Sequence, residues 1–192
     1  MTGSHSQLDG DADRQATGNS GIDYEKARRG TRLLLEAIGE SPDSGHLSET
    51  WQRRVPETLA TLTEGTREEA KPTLRTFEAE RDEVVIKTGI PLYSLCEHHL
   101  LPYYGVAHVA YRPNGAVVGL SKLPRYVRWQ ARRLTMQESL TDDSAAGLGA
   151  ERGAEAVLVE VTATHLCEAM RGVETATETT TRATAGEPSD RD

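Results

Sequence analysis

The sequence predicts a single domain of the α+β class, in which helices bracket an antiparallel sheet. Apolar residues recur at helical spacing within residues 22–65, and β-prone runs separated by turn residues occupy residues 82–120. A two-residue period of apolar residues marks a further strand over residues 157–163. The chain of 192 residues is long enough to enclose one real core. Helices that flank runs of strands in this way favour the α+β class.

Residues 22–65 are predicted to form an antiparallel pair of helices. Asp23 can cap the first helix, which stops near Gly39, and the second helix ends near Gly65. The apolar positions at helical spacing are Ala27, Leu34, Leu35 and Ile38 in the first helix and Trp51, Val55, Leu59 and Leu62 in the second. Pro56 should kink the second helix or delay its start, because proline lacks the backbone donor that an interior position requires.

The middle of the chain predicts strands. Residues 82–95 form two short β-prone runs, which are broken at Gly89 and Pro91. Residues 105–120 have the pattern of a β-hairpin, in which two β-prone runs are joined by the Pro-Asn-Gly turn at 113–115. Asn-Gly favours such a turn because it accepts positive φ angles.

Two helices that pack against the core are expected after this hairpin. The first begins at Ser121 and runs to about Leu134, with apolar residues on one side. Thr135 and Glu138 have the spacing of a capping box, so the second helix should open at this point.

The most informative strand is predicted within residues 154–167. Four small or β-branched residues share one of its faces, namely Val157, Val159, Val161 and Ala163. By the two-residue period, His165 and Cys167 are the next members of that face, so an apolar face ends in an imidazole and a thiol. The threonine-rich segment at 174–186 is either a last strand or a flexible tail.

The domain is expected to span residues 21–186. Residues 1–20 are polar and rich in Gly, Ser and Asp, which predicts a disordered tail, and residues 187–192 are expected to be flexible. The sequence has no run of about 18 apolar residues and no signal-peptide pattern at its start. A cytoplasmic protein without a membrane association is therefore expected.

The charge pattern argues against a general nucleic-acid binder. The formal net charge is -8, whereas nucleic-acid binding surfaces are basic. No Asp or Glu lies between Glu97 and Glu138, yet this window holds six basic residues, which are Arg112, Lys122, Arg125, Arg128, Arg132 and Arg133. This cationic window is either a solvated helix face or a site for a compact polyanion such as a triphosphate.

The segment LCEHHLLP predicts a metal site. Cys96 and His99 stand three residues apart, near enough in a turn to share one ion, and Cys167 can supply a third ligand. Thiolates with imidazole suit Zn²⁺, and three protein ligands leave a position for water. The alternatives are ordinary buried cysteines or one disulfide. Metal binding is favoured because both cysteines of the chain adjoin three of its six histidines.

A catalytic metal needs neighbours that move protons and hold substrate. His98 and His165 are candidates for proton transfer, since an imidazole titrates near neutral pH, although either could instead be a fourth metal ligand. Glu138 either caps its own helix with Thr135 or accepts paired hydrogen bonds from a guanine ring. The local sequence leaves these two roles of Glu138 open.

These motifs resemble those of the GTP cyclohydrolase I family. The matching segments are CEHHLLP at 96–102, GLSKLPR at 119–125, QE at 137–138 and HLCEAMRGV at 165–173. Agreement in order and spacing extends over roughly residues 22–186, so a chance match is a poor explanation. The resemblance implies a tunnelling fold (T-fold) as the catalytic part at 82–186, with the helix pair packed outside it.

The resemblance also implies a role for each matched side chain. Zn²⁺ would be bound by Cys96, His99 and Cys167, and acid/base catalysis would use His98 and His165. The substrate-binding residues would be Glu138 with neighbouring Gln137 at guanine, and Ser121, Lys122, Arg125 and Arg171 at the triphosphate. Glu97 would support the geometry of the site.

The activity that this resemblance implies is hydrolytic opening of the imidazole ring of GTP. The products would be 7,8-dihydroneopterin triphosphate and formate, in the first step of pterin and folate biosynthesis. The implied assembly is a homo-oligomer, a decamer of two pentamers with active sites between subunits. A non-catalytic zinc protein of the same family and a related T-fold pterin enzyme are the rival hypotheses. A zinc nucleobase deaminase is disfavoured because its Pro-Cys-x-x-Cys ligand pair is absent from the sequence.

Overall fold

A computed structural model of the protein describes residues 21–78, 83–150 and 154–186. Within these ranges, five α-helices accompany two sheets, which confirms the predicted α+β class. The helices are α1 (Tyr24–Ala37), α2 (Val55–Leu62), α3 (Lys122–Ala131), α4 (Gln137–Ala150) and α5 (Leu166–Ala169). The predicted tails at 1–20 and 187–192 lie outside the described residues.

Seven strands lie along the described parts of the chain. They are β1 (Thr76–Glu78), β2 (Val85–Cys96), β3 (Pro102–Pro113), β4 (Ala116–Val118), β5 (Leu134–Thr135), β6 (Ala154–His165) and β7 (Glu178–Gly186). Five of them form the main sheet in the order β5-β2-β3-β6-β7, while β1 and β4 form a separate antiparallel ribbon. In the main sheet, the short β5 runs parallel to β2 and the other pairs are antiparallel. Residues 178–186 of the threonine-rich segment therefore form a strand, and this strand, β7, pairs with β6 along its whole length.

One face of the main sheet is covered by α3 and α4, and the core lies between them. The predicted inward face of β6 is confirmed, because its four members Val157, Val159, Val161 and Ala163 are all buried. The two helices contribute larger apolar side chains, among them Leu123, Val127, Leu140 and Leu148. Burying a valine or leucine side chain of this kind stabilises the fold by about 1.5–3 kcal/mol. The opposite face of the sheet exposes Tyr93, Tyr104 and Val106.

The predicted break in the first strand region is wrong. β2 is one strand, and its register with β3 shifts by one residue between Lys87 and Ile90. Gly89 lies in this bulge with a φ of 65°, a conformation that glycine adopts without steric cost. Because the bulge absorbs the extra residue, Ile90 and Leu92 both keep their side chains in the core.

The predicted pairing of β3 with the strand that follows it in a hairpin is also wrong, although the chain turns where expected. Gly115 has a φ of 71° in the Asn-Gly turn. The strand that follows, β4, pairs with β1 and not with β3. The reason is that β2 and β6 already occupy both edges of β3.

The helix predicted from Ser121 ends earlier than expected. α3 stops at Ala131, and Leu134 lies in β5 beside β2. The backbone N–H of Gly65 donates to the carbonyl oxygen of Arg132 at 2.7 Å, which ties the chain to the segment after α2. A Cβ at position 65 would lie 2.0 Å from the carbonyl oxygen of Trp129, so only glycine permits this contact.

The predicted capping box is wrong, because the Thr135 side chain does not make the hydrogen bond that a capping box requires. A capping threonine accepts from a backbone N–H, whereas the Thr135 hydroxyl donates to the carbonyl oxygen of Met136 at 3.0 Å. The helix α4 begins at Gln137. Glu138 therefore stands in the first turn of α4, where a carboxylate interacts favourably with the helix dipole.

The first N-terminal helix begins as the sequence indicates. Asp23 accepts a hydrogen bond from the backbone N–H of Lys26 at 2.9 Å and so caps α1. A turn of π-helix, Thr50–Arg54, runs directly into α2, of which Pro56 is the second residue. Helical backbone therefore begins several residues before Pro56, so the late-start alternative is wrong, and the π-helical turn just before Pro56 is a local distortion of the helix. Within the described ranges, every helix is too short or too polar for a bilayer-spanning segment.

Candidate metal and proton-transfer site

The turn between β2 and β3 brings Cys96 and His99 together. The backbone N–H of Cys96 donates to the carbonyl oxygen of Leu101, and the carbonyl oxygen of Cys96 accepts from the N–H of Leu100, both at 2.9 Å. Leu100 has a positive φ of 56°, which tightens the turn. As a result, Cys96 Sγ lies 3.7 Å from His99 Nδ1.

Cys167 reaches the same point from the neighbouring part of the sheet. The prediction that it continues the face of β6 is wrong, because Cys167 lies in α5, the single helical turn after β6. The pairing of β6 with β3 nevertheless sets His165 opposite Tyr103, close to the turn that holds Cys96. The ligand atoms of Cys96, His99 and Cys167 all lie within 4.8 Å of one another. The predicted meeting of these three side chains is therefore present.

Two sulfur atoms and one imidazole nitrogen form a donor set that fits Zn²⁺. Ligand atoms around a tetrahedral zinc ion are separated by about 3.5–3.8 Å, which the distance between Cys96 and His99 already matches. Cys96 is buried, Cys167 is half-buried and His99 is exposed, so the group has an open side. Both cysteines are free thiols, and the disulfide alternative is therefore wrong.

The two thiols influence each other. Burial raises the pKa of the Cys167 thiol, and the hydrogen bond and charge of Cys96 raise it further. Two adjacent thiolates repel each other, so a divalent cation bound between them would stabilise both deprotonated forms. Binding of a metal at this group should therefore release protons.

Arg171 contacts the outer side of His99. Its Nη1 donates to Nε2 of His99 at 3.2 Å. A guanidinium can only donate, so this bond requires a lone pair on Nε2 and places the hydrogen of a neutral ring on Nδ1. If Nδ1 binds a metal, the hydrogen moves to Nε2, which can no longer accept. Metal binding through Nδ1 would thus release Arg171 for another partner.

His165 is oriented by neighbours on β3 and α4. Its ring stacks on Tyr103, with centroids 4.7 Å apart and planes 14° apart, and its Nε2 lies 2.8 Å from Gln137 Oε1. Burial lowers the pKa of His165, while the charges of Glu138 and Glu168 act in the opposite direction. Burial also raises the pKa of Tyr103 to about 12, so this ring stays neutral near pH 7.

His98 and Glu97 lie on the exposed surface of the same turn. Nε2 of His98 is 3.8 Å from Glu97 Oε1, and the His98 ring meets the His99 ring edge-on at 6.3 Å. The side chain of His98 is 61% exposed. Among the described residues, neither His98 nor His165 joins the three-residue donor group.

Glu138 and Gln137 are adjacent in sequence but differ in environment. Glu138 is exposed, and its carboxylate raises the pKa of both His165 and Tyr103, so it lies near these two rings. Gln137 is 1% exposed, and its side-chain amide is hydrogen bonded to protein groups. A ligand could therefore contact the side chain of Glu138 from solvent, whereas the side chain of Gln137 is enclosed by protein.

Ser121, Lys122 and Arg125 lie at the opposite end of the main sheet. The segment after α3 forms β5, which pairs with the last two residues of β2. The N-terminal end of α3 instead follows β4. In β4, the backbone N–H of Val118 donates to the hydroxyl of Tyr111, and Tyr111 pairs with Val85, the first residue of β2. α3 connects these two points, and its ten residues span about 15 Å. The first turn of α3 therefore lies about one helix length from the strand that flanks Cys96.

A comparison with known families finds that the family model described as GTP cyclohydrolase I matches residues 27–192. The chain belongs to the GTP cyclohydrolase I family. The GTP cyclohydrolase 1 of Hyperthermus butylicus is 45% identical over 169 residues, which cover 86% of this chain and 84% of the relative. That of Campylobacter jejuni subsp. jejuni serotype O:23/36 is 47% identical over 152 residues, which cover 78% and 80%.

A search of solved structures finds the apo form of the archaeosine synthase QueF-Like. It is 18% identical in sequence, with a TM-score of 0.44, and the similarity covers 57% of this chain and 100% of that chain. Membership of the GTP cyclohydrolase I family rests on the family match and the relatives at about 45% identity.

The groups behind His165 could not be predicted from the sequence of this GTP cyclohydrolase I family member. Tyr103 has the pattern of an ordinary inward strand residue, which gives no sign that it stacks on a histidine. Thr179 and Thr181 contact Gln137, but they lie in the segment whose structure the sequence left open. The only feature of the sequence that pointed to Gln137 was its position next to Glu138. That position does not indicate that Gln137 is buried.

Proposed function

We propose that the protein is a zinc-dependent GTP cyclohydrolase I that converts GTP and water into 7,8-dihydroneopterin triphosphate and formate. The observation that carries this proposal is the meeting of Cys96, His99 and Cys167 beside an oriented histidine, in a chain of this family. Family membership supports the enzyme class, and the donor set supports the metal.

The metal ligands in this proposal are Cys96, His99 and Cys167. Bound by these three residues, Zn²⁺ supplies a Lewis acid with an open position, which activates water for hydrolysis near neutral pH. The open side of the donor group, where His99 is exposed, supports access for a substrate. The turn hydrogen bonds at Cys96 hold two of the ligands in place before any metal binds.

The proton transfers are assigned to two histidines. His165 protonates N7 of guanine while water attacks C8, and its stacked, hydrogen-bonded ring supports this assignment. His98 carries protons in the later steps, in which formate leaves and the ribose rearranges. The exposure of His98 on the same turn supports contact with a bound substrate. Glu97, 3.8 Å from His98, supports the geometry of that ring.

Substrate binding is divided between guanine and the triphosphate. Glu138 accepts hydrogen bonds from the guanine ring, and its exposed position near His165 supports this role. Arg171 binds phosphate oxygens once it leaves His99, because a guanidinium fork matches phosphate geometry. Ser121, Lys122 and Arg125 complete the triphosphate site from another subunit.

The assembly proposed is a homo-oligomer with the T-fold, a decamer of two pentamers whose active sites lie between subunits. The separation of Arg125 from Cys96 within one chain supports a shared site. Exposed apolar side chains support further contacts between copies, since Leu34 and Ile38 of the α1 segment are 63% and 67% exposed. The exposed outer face of the sheet, with Tyr93 and Tyr104, supports the same conclusion.

The experiment that tests this function is a GTP assay on metal-loaded and chelator-treated protein. Formate and, after oxidation, neopterin fluorescence should appear with the loaded protein, disappear after chelation and return when Zn²⁺ is restored. Protein that binds zinc and GTP but releases no formate would instead be a non-catalytic member of the family. A different pterin product would indicate the related-enzyme hypothesis.

A further inference from the structure

The side chain of Gln137 has a defined orientation inside the protein. Its Nε2 lies 3.0 Å from the carbonyl oxygen of Val161, 2.9 Å from that of Thr179 and 3.2 Å from Thr181 Oγ1. Carbonyl oxygens accept but never donate, so the nitrogen of the amide must face β6 and β7. The amide oxygen then faces His165, where Oε1 and Nε2 are 2.8 Å apart.

A chain of hydroxyl groups supports the same orientation of Gln137. The Thr141 hydroxyl donates to the backbone carbonyl oxygen of Gln137 at 2.7 Å. Having donated there, Thr141 Oγ1 can only accept from Thr181 Oγ1, which lies 2.6 Å away. The Thr181 hydroxyl therefore directs its hydrogen to Thr141 and leaves a lone pair for Gln137 Nε2. All the polar atoms of the Gln137 side chain thus have matching partners.

This network determines which nitrogen of His165 carries the hydrogen in the neutral ring. Because Gln137 Oε1 can only accept, Nε2 of His165 must donate, and the lone pair lies on Nδ1. The described residues leave Nδ1 without a hydrogen-bond partner. Stacking on Tyr103 fixes the plane of the ring as well.

We propose that Gln137 is a positioning residue, which holds His165 as the Nε2–H tautomer and leaves Nδ1 as the nitrogen that exchanges a proton with the substrate. This inference rests on the proposed function, in which His165 is the proton donor. It differs from the substrate-binding role that the resemblance implied for Gln137. A side chain that is 1% exposed could contact a ligand only after the surrounding strands had repacked.

The first test compares Gln137→Met with the wild-type oligomer. Methionine keeps the length and approximate volume of glutamine but removes the acceptor for His165. We expect kcat to fall by about 10- to 100-fold, the usual effect of losing a group that orients a reacting side chain, while KM for GTP and zinc content stay near the wild-type values. An unchanged kcat would overturn the proposal.

The matched control is Thr180→Val, on the same strand as Thr179 and Thr181. The Thr180 hydroxyl is hydrogen bonded to Thr162 on the exposed face of β7, away from Gln137. This variant removes a strand hydrogen bond without touching the network, so its kcat should equal that of the wild type. An equal loss of kcat in Thr180→Val and Gln137→Met would assign the effect to damage of β7 and overturn the positioning role.

The second test reads the tautomer directly and does not depend on turnover. The wild-type zinc-loaded oligomer is labelled with ¹⁵N-histidine, and the His165 signals are identified by their loss in His165→Ala. At a pH where the ring is neutral, Nε2 should be protonated and Nδ1 unprotonated, whereas Gln137→Met should show both tautomers. A wild-type ring with the hydrogen on Nδ1 would overturn the proposal, even if Gln137→Met failed to fold.

The two tests separate this inference from the proposed function. A wild-type protein that releases no formate but shows the Nε2–H tautomer would contradict the proposed function and support the positioning of His165. A wild-type protein that releases formate but has the Nδ1–H tautomer would support the function and overturn the role of Gln137.

Discussion

The two ends of the main sheet differ in how complete their chemistry is within one chain. At the Cys96 end, one turn and the register of β3 with β6 bring the donor group and His165 together. At the Ser121 end, the residues expected to bind phosphate lie in the first turn of α3, at the end of this helix that leads away from β5 and the donor group. Local turns and strand register build the donor group within one chain, whereas we propose that a second copy of the chain completes the binding of the whole substrate.

The cationic window shows the same division at the level of single residues. Arg132 bonds to Glu64 at 2.8 Å, and Arg133 donates to the carbonyl oxygen of Gly65 at 2.8 Å while it stacks over Trp129. These two arginines join α3 to the segment after α2. Arg125 is exposed on the first turns of α3. Arg132 and Arg133 therefore have partners within the protein, whereas anion binding by Arg125 stays a prediction.

The largest effect is expected from Cys96→Ser at the reactive end. Loss of a ligand should remove the bound zinc and lower kcat by more than about 100-fold, which exceeds the usual effect of changes outside the ligand shell. Zinc content and formate release measure both quantities. His46→Ala, in the exposed loop between α1 and α2, should change neither. Full zinc content in Cys96→Ser would contradict the donor group.

An intermediate effect is expected from Arg125→Ala at the other end. Loss of a charge-assisted hydrogen bond to phosphate costs about 1.5–3 kcal/mol, so KM for GTP should rise by about 10- to 100-fold. Zinc content should stay at the wild-type level, because Arg125 is remote from the ligands. Steady-state kinetics and metal analysis test the two statements together. Zinc loss in Arg125→Ala would contradict the prediction that the start of α3 has no influence on the metal ligands.

The smallest effect is expected from Arg132→Ala within the structural part of the window. Its side chain is 24% exposed, and loss of the contacts with Glu64 and Thr61 should lower the free energy of unfolding by about 1 kcal/mol. Thermal and denaturant unfolding measure this change, and KM for GTP should not move. Arg128→Ala, on the exposed side of α3, should leave both stability and KM unchanged. A raised KM in Arg132→Ala would place this residue at the substrate.

The metal group could be predicted from sequence because its chemistry depends on rare residues. The chain has two cysteines, and both lie next to histidines, so few arrangements were available. The element that carries Cys167 was harder to predict, because β6 ends at His165 and the helix α5 begins at the next residue. Periodicity identifies faces within an element but not where that element stops.

The errors in the sheet have a common cause. The hairpin after β3 was predicted from its local turn, and the turn is present, but β3 had no free edge for β4. The two runs of β2 were separated by a glycine that instead forms a bulge within one strand. Both outcomes depend on pairing between distant strands, which single-sequence patterns do not contain. The burial of Gln137 depends on the same long-range pairing.

The most direct test of a shared active site is complementation between two inactive chains. Cys96→Ser lacks the reactive end, and the double variant Lys122→Ala, Arg125→Ala lacks the phosphate end. Co-expressed in one oligomer, they should release formate from GTP well above the sum of the separate variants, because some sites combine intact halves from two chains. Activity no greater than that sum, in oligomers shown to contain both chains, would contradict the account.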